Sequence, residues 1–127
     1  MVQVVWEFLV KDEARGQFEL AYGPGGAWSK LFGRSTGFRG TTLLRDAKNP
    51  CRYLAIDFWD TEAQREQILT EHKSEYSKLD AAFAGWTESE AEVGVFRVMA
   101  EATVRPRAGR GRTASGDARR RGRPTSG

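Results

Sequence analysis

Apolar positions in the first ten residues alternate: Val2, Val4, Trp6, Phe8 and Val10 fall on one side of an extended chain, with Val5 and Leu9 on the other. This predicts a strand with neither face wholly polar. Residues 12–22 change period, with Phe18, Ala21 and Tyr22 at helical spacing. Gly23-Pro-Gly-Gly26 ends that helix, and Trp28, Leu31 and Phe32 mark a second arm, so a helix broken in two is expected. Phe38 to Arg45 and Cys51 to Trp59 read as a hairpin across Asp46-Ala-Lys-Asn-Pro50. In its second strand Leu54, Ile56 and Phe58 point one way and Tyr53, Ala55, Asp57 and Trp59 the other. Thr61 with Gln64 forms a capping box that opens a helix. Ile68, His72, Tyr76, Leu79 and Phe83 then make one apolar stripe, and Gly85 closes it. Ala91 to Met99 reads as the last strand.

The order β-α-β-β-α-β predicts an α+β fold of the ferredoxin-like type: a four-stranded antiparallel sheet with both helices on one face. The uncovered face keeps large apolar groups on the first and third strands, and such a patch marks an interface. A second copy of the chain is the expected partner, giving a homodimer.

Charge divides the chain. Residues 1–101 carry 12 Lys and Arg against 16 acids, whereas residues 102–127 carry eight Arg and one acid, Asp117. The basic pI of about 9.3 is a property of that Arg/Gly-rich tail, which has the composition of a disordered extension. The boundary is set after Glu101. No aromatic is interleaved with the tail arginines, so contact with nucleic acid is expected to be non-specific only. One Cys (Cys51) and one His (His72) exclude a disulfide scaffold and the usual structural zinc site. No apolar run has the ~18 residues of a membrane span, and the first ten residues lack a basic leader, so no membrane association and a cytoplasmic location are expected.

The strand Val2–Val10, the stretch Phe18-Glu-Leu-Ala-Tyr-Gly-Pro-Gly-Gly-Ala-Trp-Ser-Lys-Leu-Phe32, the hairpin start Gly37-Phe-Arg-Gly-Thr-Thr-Leu-Leu44 and Asp57-Phe-Trp-Asp-Thr61 resemble the antibiotic biosynthesis monooxygenase (ABM) superfamily. The resemblance spans residues 2–99 and implies a dimeric α+β barrel. It also implies an activity from a mixed set, which includes cofactor-independent oxygenases and haem-degrading enzymes. The haem-degrading branch is a poor match. Its second Trp and its His would fall near Gln67 and Ser77, and its first-strand Asn is missing.

The oxygenase branch removes a proton from an activated phenol or anthrone, and the carbanion then reduces oxygen. That chemistry needs a dry pocket, a proton acceptor and donors for the anion, with no metal, flavin or haem. The expected catalytic pair is His72 and Tyr76, one helical turn apart, His72 relaying the proton. Trp6, Tyr22, Trp28, Asp57 and Trp59 are the expected substrate-binding residues, since aromatic walls suit a flat aromatic or polyketide-like molecule. Asp57 has a second reading, as an ion pair with Arg39, Arg45 or Arg97 across the sheet. The alternative function is a non-catalytic dimeric module that binds a small molecule.

Overall fold

The computed structural model describes residues 1–99; the Arg-rich tail and the boundary after Glu101 lie outside the described residues. Strand β1 (Val2–Val10) leads through a short 3-10 turn (Asp12–Ala14) into helix α1 (Arg15–Tyr22) and helix α2 (Ala27–Phe32). The hairpin β2 (Phe38–Arg45) and β3 (Arg52–Trp59) follows, then α3 (Glu62–Glu71), α4 (Lys73–Phe83) and β4 (Thr87–Arg97). The sheet is antiparallel throughout, in the order β2-β3-β1-β4. This is the expected α+β, ferredoxin-like arrangement.

The predicted break between the helical arms is real, and Gly26 makes it possible. A Cβ there would lie 2.3 and 2.4 Å from the carbonyl oxygens of Leu20 and Ala21, so only glycine lets α2 start against the end of α1. Trp28, Leu31 and Phe32 are thereby turned into the core with Phe18, Ala21 and Tyr22. Thr61 caps α3 as expected, its hydroxyl accepting the Gln64 backbone N–H at 3.2 Å.

Two boundaries differ from expectation. The single helix after Thr61 is two helices, α3 and α4, that meet at His72 (φ −117°, ψ 34°). Just before that junction the Thr70 hydroxyl donates to the Glu66 carbonyl at 2.9 Å. This kind of back-bond bends helices. The last strand starts at Thr87 rather than Ala91 and ends at Arg97 rather than Met99. As an edge strand it pairs only with β1, down to Thr87 opposite Val10, and its register slips twice. Exposure on an edge lets Thr87-Glu-Ser-Glu90 be strand without apolar alternation.

The core lies between the sheet and the helices, with Val4, Val10, Phe18, Tyr53 and Trp59 its most deeply buried side chains. The other face of the sheet has no covering layer among the described residues. Val5 is opposite Ile56, Leu44 opposite Leu54, and Gln3 lies between Phe58 and Phe96. Leu44, Val93 and Phe96 are exposed.

Candidate functional site

A cavity opens between the sheet and the helices. Trp6 and Phe8 of β1 and Ala55 and Asp57 of β3 form the side made by the sheet. Tyr22, Trp28 and Phe32 come from the two arms of the first helical segment, and Tyr76 from α4. Asp80 and Glu90, both exposed, complete the lining. The cavity is small, about 50 Å³, and open to solvent. The inner part is therefore narrow, and its walls are rings. Trp28 meets Tyr76 edge-on at 5.0 Å and Tyr22 at 5.9 Å, and Phe8 meets Tyr22 edge-on at 5.0 Å.

Asp57 is the charged group set deepest in this aromatic surface. Its pairing partners in the sheet are Thr41 on β2 and the fully buried Val4 on β1. The Thr41 hydroxyl donates to Asp57 Oδ1 at 2.8 Å, and also lies 3.1 Å from the Ile56 carbonyl. Burial pushes the Asp57 carboxyl up to about 6, opposed by the Thr41 hydrogen bond and, more weakly, by the charge of Arg65. The cross-strand ion pair allowed by the sequence does not form with Arg39 or Arg45. Arg39 binds Asp60 through two contacts, at 2.7 and 2.6 Å, and Arg45 reaches Glu19 at 3.3 Å.

The structure brings Trp6, Tyr22, Trp28, Asp57 and Tyr76 together around the cavity. Burial raises the phenols of both Tyr22 and Tyr76, so each is a neutral hydroxyl at physiological pH. The Trp28 indole works against that burial on Tyr22 and holds its phenol down in part.

Two expected residues are elsewhere. Trp59 is fully buried and does not line the cavity; it packs edge-on against Phe32 at 5.5 Å and Phe38 at 5.1 Å. His72 does not line it either. The junction between α3 and α4 places its Nδ1 3.0 Å from Glu75 Oε1 and 3.2 Å from Arg34 Nη1, with Arg34 also donating to Glu75. The kink takes His72 out of the stripe that carries Tyr76 to the cavity. Asp80 and Glu90 were not expected there. Asp80 lies one helical turn beyond Tyr76, a spacing the sequence displays, whereas Glu90 was hidden by the late start assigned to the last strand.

Among the described residues no group of three or more His, Cys, Asp or Glu could hold a metal ion. No described helix is long and apolar enough to cross a membrane.

No protein-family model matches the sequence, and no curated protein does. Solved structures do. A variant of SnoaB, a cofactor-independent oxygenase from Streptomyces nogalater, superposes with a TM-score of 0.65 at 23% identity, covering 84% of this chain and 97% of that one. A protein from Bordetella bronchiseptica assigned as an antibiotic biosynthesis monooxygenase gives 0.62 at 18% identity, covering 77% and 96% of the two chains. One from Deinococcus radiodurans with the same assignment gives 0.60 at 10% identity, covering 84% and 100%. At these identities the likeness is one of fold: the chain shares the ferredoxin-like α+β architecture of these proteins.

Proposed function

We propose that this protein is a cofactor-independent monooxygenase acting on a flat phenolic or anthrone-like molecule, with Asp57 as the proton acceptor and Tyr76 and Tyr22 as hydrogen-bond donors. The observation that carries this reading is a carboxyl group on the wall of an aromatic cavity, held near 6 by burial with Thr41 as its hydrogen-bonding partner. A base poised close to the working pH is ionised at neutrality yet still attracts a proton effectively. Likeness of fold to a cofactor-independent oxygenase supports the same reading.

The chemistry balances without a cofactor. Asp57 takes the acidic C–H proton of the substrate, and the tyrosine hydroxyls stabilise the enolate oxygen that results. The carbanion passes one electron to dioxygen, and the radical pair joins as a peroxide at that carbon. Loss of water from the protonated peroxide leaves a carbonyl there. One oxygen atom ends in the quinone and the other in water.

The reading includes a homodimer. Leu44, Val93 and Phe96 are 45%, 52% and 49% exposed on strands of a sheet whose outer face no described element covers, a surface suited to a second copy. Sedimentation equilibrium at micromolar concentration is expected to give twice the chain mass.

Anthrone tests the activity directly. Metal-free, flavin-free protein is expected to consume one dioxygen per anthraquinone formed, with one atom of ¹⁸O₂ in the product. Anthrone binding without any oxygen uptake above the uncatalysed rate contradicts the oxygenase and leaves the binding module.

A further inference from the structure

The cavity's chemistry is one-sided. Three carboxylates, Asp57, Asp80 and Glu90, line it, and no Lys, Arg or His is among its lining residues. Asp80 and Glu90 make no ion pair and no hydrogen bond with another described side chain, although most acids on this surface do. Glu7, Glu19, Asp46, Asp60, Glu75 and Glu92 all hold an arginine. Arg65, whose charge reaches Asp57 and Tyr76, is itself engaged by Glu92 at 3.4 Å and Glu66 at 4.0 Å.

The two carboxylates also act on each other. Partial desolvation at the edge of the cavity, and then the charge of Asp80, hold the exposed Glu90 above the usual carboxylate range. The same two charges reach the Tyr22 and Tyr76 hydroxyls deeper in the cavity. The three acids do not converge into a set that could hold a metal ion. The same cavity is walled by the rings of Trp6, Trp28, Tyr22 and Tyr76, and aromatic faces attract a diffuse cation. Negative charge beside aromatic faces in one concave site favours a cationic ligand, and a protonated amine is the simplest cation an aromatic molecule carries.

We propose that the cavity selects aromatic molecules bearing a protonated amine, the ring system entering between Trp6, Trp28 and Tyr76 and the ammonium lying between Asp80 and Glu90. The same field turns carboxylated or sulfonated analogues away. This deepens the oxygenase reading by naming its substrate class, and it rests on the cavity being a substrate site.

A matched set of probes separates charge from shape: 2-naphthylmethylamine, 2-naphthalenemethanol and 2-naphthoate, titrated calorimetrically into the full chain at pH 7.5 and low salt. The amine is expected to bind roughly tenfold more tightly than the alcohol, and the carboxylate more weakly than either. In the Asp80→Asn/Glu90→Gln double variant, checked for an unchanged melting temperature, the amine-to-alcohol ratio is expected to fall to about two. About 0.5 M salt is expected to narrow the ratio in the wild type. Equal affinities of amine and alcohol, a ratio that survives the double variant, or no binding of any probe to the folded protein overturns the proposal. Turnover of anthrone plays no part in this test. An amine preference without oxygen uptake keeps this inference and removes the oxygenase, and oxygen uptake without the preference does the reverse.

Discussion

Asp57 and His72 are both single titratable groups on elements that border the helical layer, and they end in opposite surroundings. Asp57 sits beside Val4 and among rings, with the Thr41 hydroxyl as its hydrogen-bonding partner. His72 sits at a helix junction within reach of a carboxylate and a guanidinium. On Glu75, the neighbour of His72, the opposite shift appears: Arg34 first, and His72 after it, hold that carboxyl below its ordinary value. Burial without an ion-pair partner stores a proton affinity that chemistry can use. A solvated ion cluster satisfies its charges and leaves little to use.

The largest expected effect breaks or confirms this contrast on activity. Asp57→Asn keeps the shape of the side chain and removes the base, so anthrone turnover is expected to fall about 10²–10⁴-fold. His72→Ala is expected to change it less than about threefold, because His72 lines no part of the cavity. Oxygen-uptake rates on the two variants decide the matter, and a large loss in His72→Ala with wild-type rates in Asp57→Asn reverses the assignment.

Stability supplies the second test, with the sign worked out. The Asp57 carboxyl is raised in the folded protein from about 4 to about 6, so the folded state binds its proton more tightly than the unfolded state does. That group therefore costs stability progressively as pH rises from about 4 to about 6, and the cost persists above. A shift of this size corresponds to about 3 kcal/mol as an upper figure. Asp57→Asn is expected to raise stability at pH 7 by up to that amount, and to flatten the pH dependence of denaturant midpoints between 4 and 6. Wild-type stability that rises through this window because of Asp57 contradicts the burial.

At the helix junction the direction is opposite and the effect small. The depressed Glu75 carboxyl contributes stability above its unfolded value, and this is lost only as pH falls through its lower folded value. His72→Ala is expected to cost about 1 kcal/mol or less, the range of exposed charge pairs, in urea titrations at pH 7.

The same pair of residues shows what the sequence discloses and where it stops. Alternation along Tyr53, Ala55, Asp57 and Trp59 puts Asp57 on the helix-covered face, because strand period is a local property. Whether an arginine reaches it depends on the lateral order of strands and on bulges. Arg39 lies beside the register slip between Phe38 and Gly40 and turns to Asp60 instead. The stripe from Ile68 to Phe83 has unbroken helical spacing, so periodicity cannot register a junction that depends on the Thr70 back-bond and the polar stretch after it. Glu90 was invisible for a third reason: a polar edge strand has no alternation to read. The aromatic walls were legible because each ring belongs to a strong local pattern, whereas the acidic mouth needed the tertiary fold to assemble it.

The pH profile of kcat/KM for anthrone oxidation tests the central claim most directly, because it asks which group must be ionised. With Asp57 as the proton acceptor, the wild type is expected to show an acid limb that rises through about 6. That limb persists in His72→Ala and is absent from the residual rate of Asp57→Asn. A limb abolished by His72→Ala, or one retained in Asp57→Asn, contradicts the account.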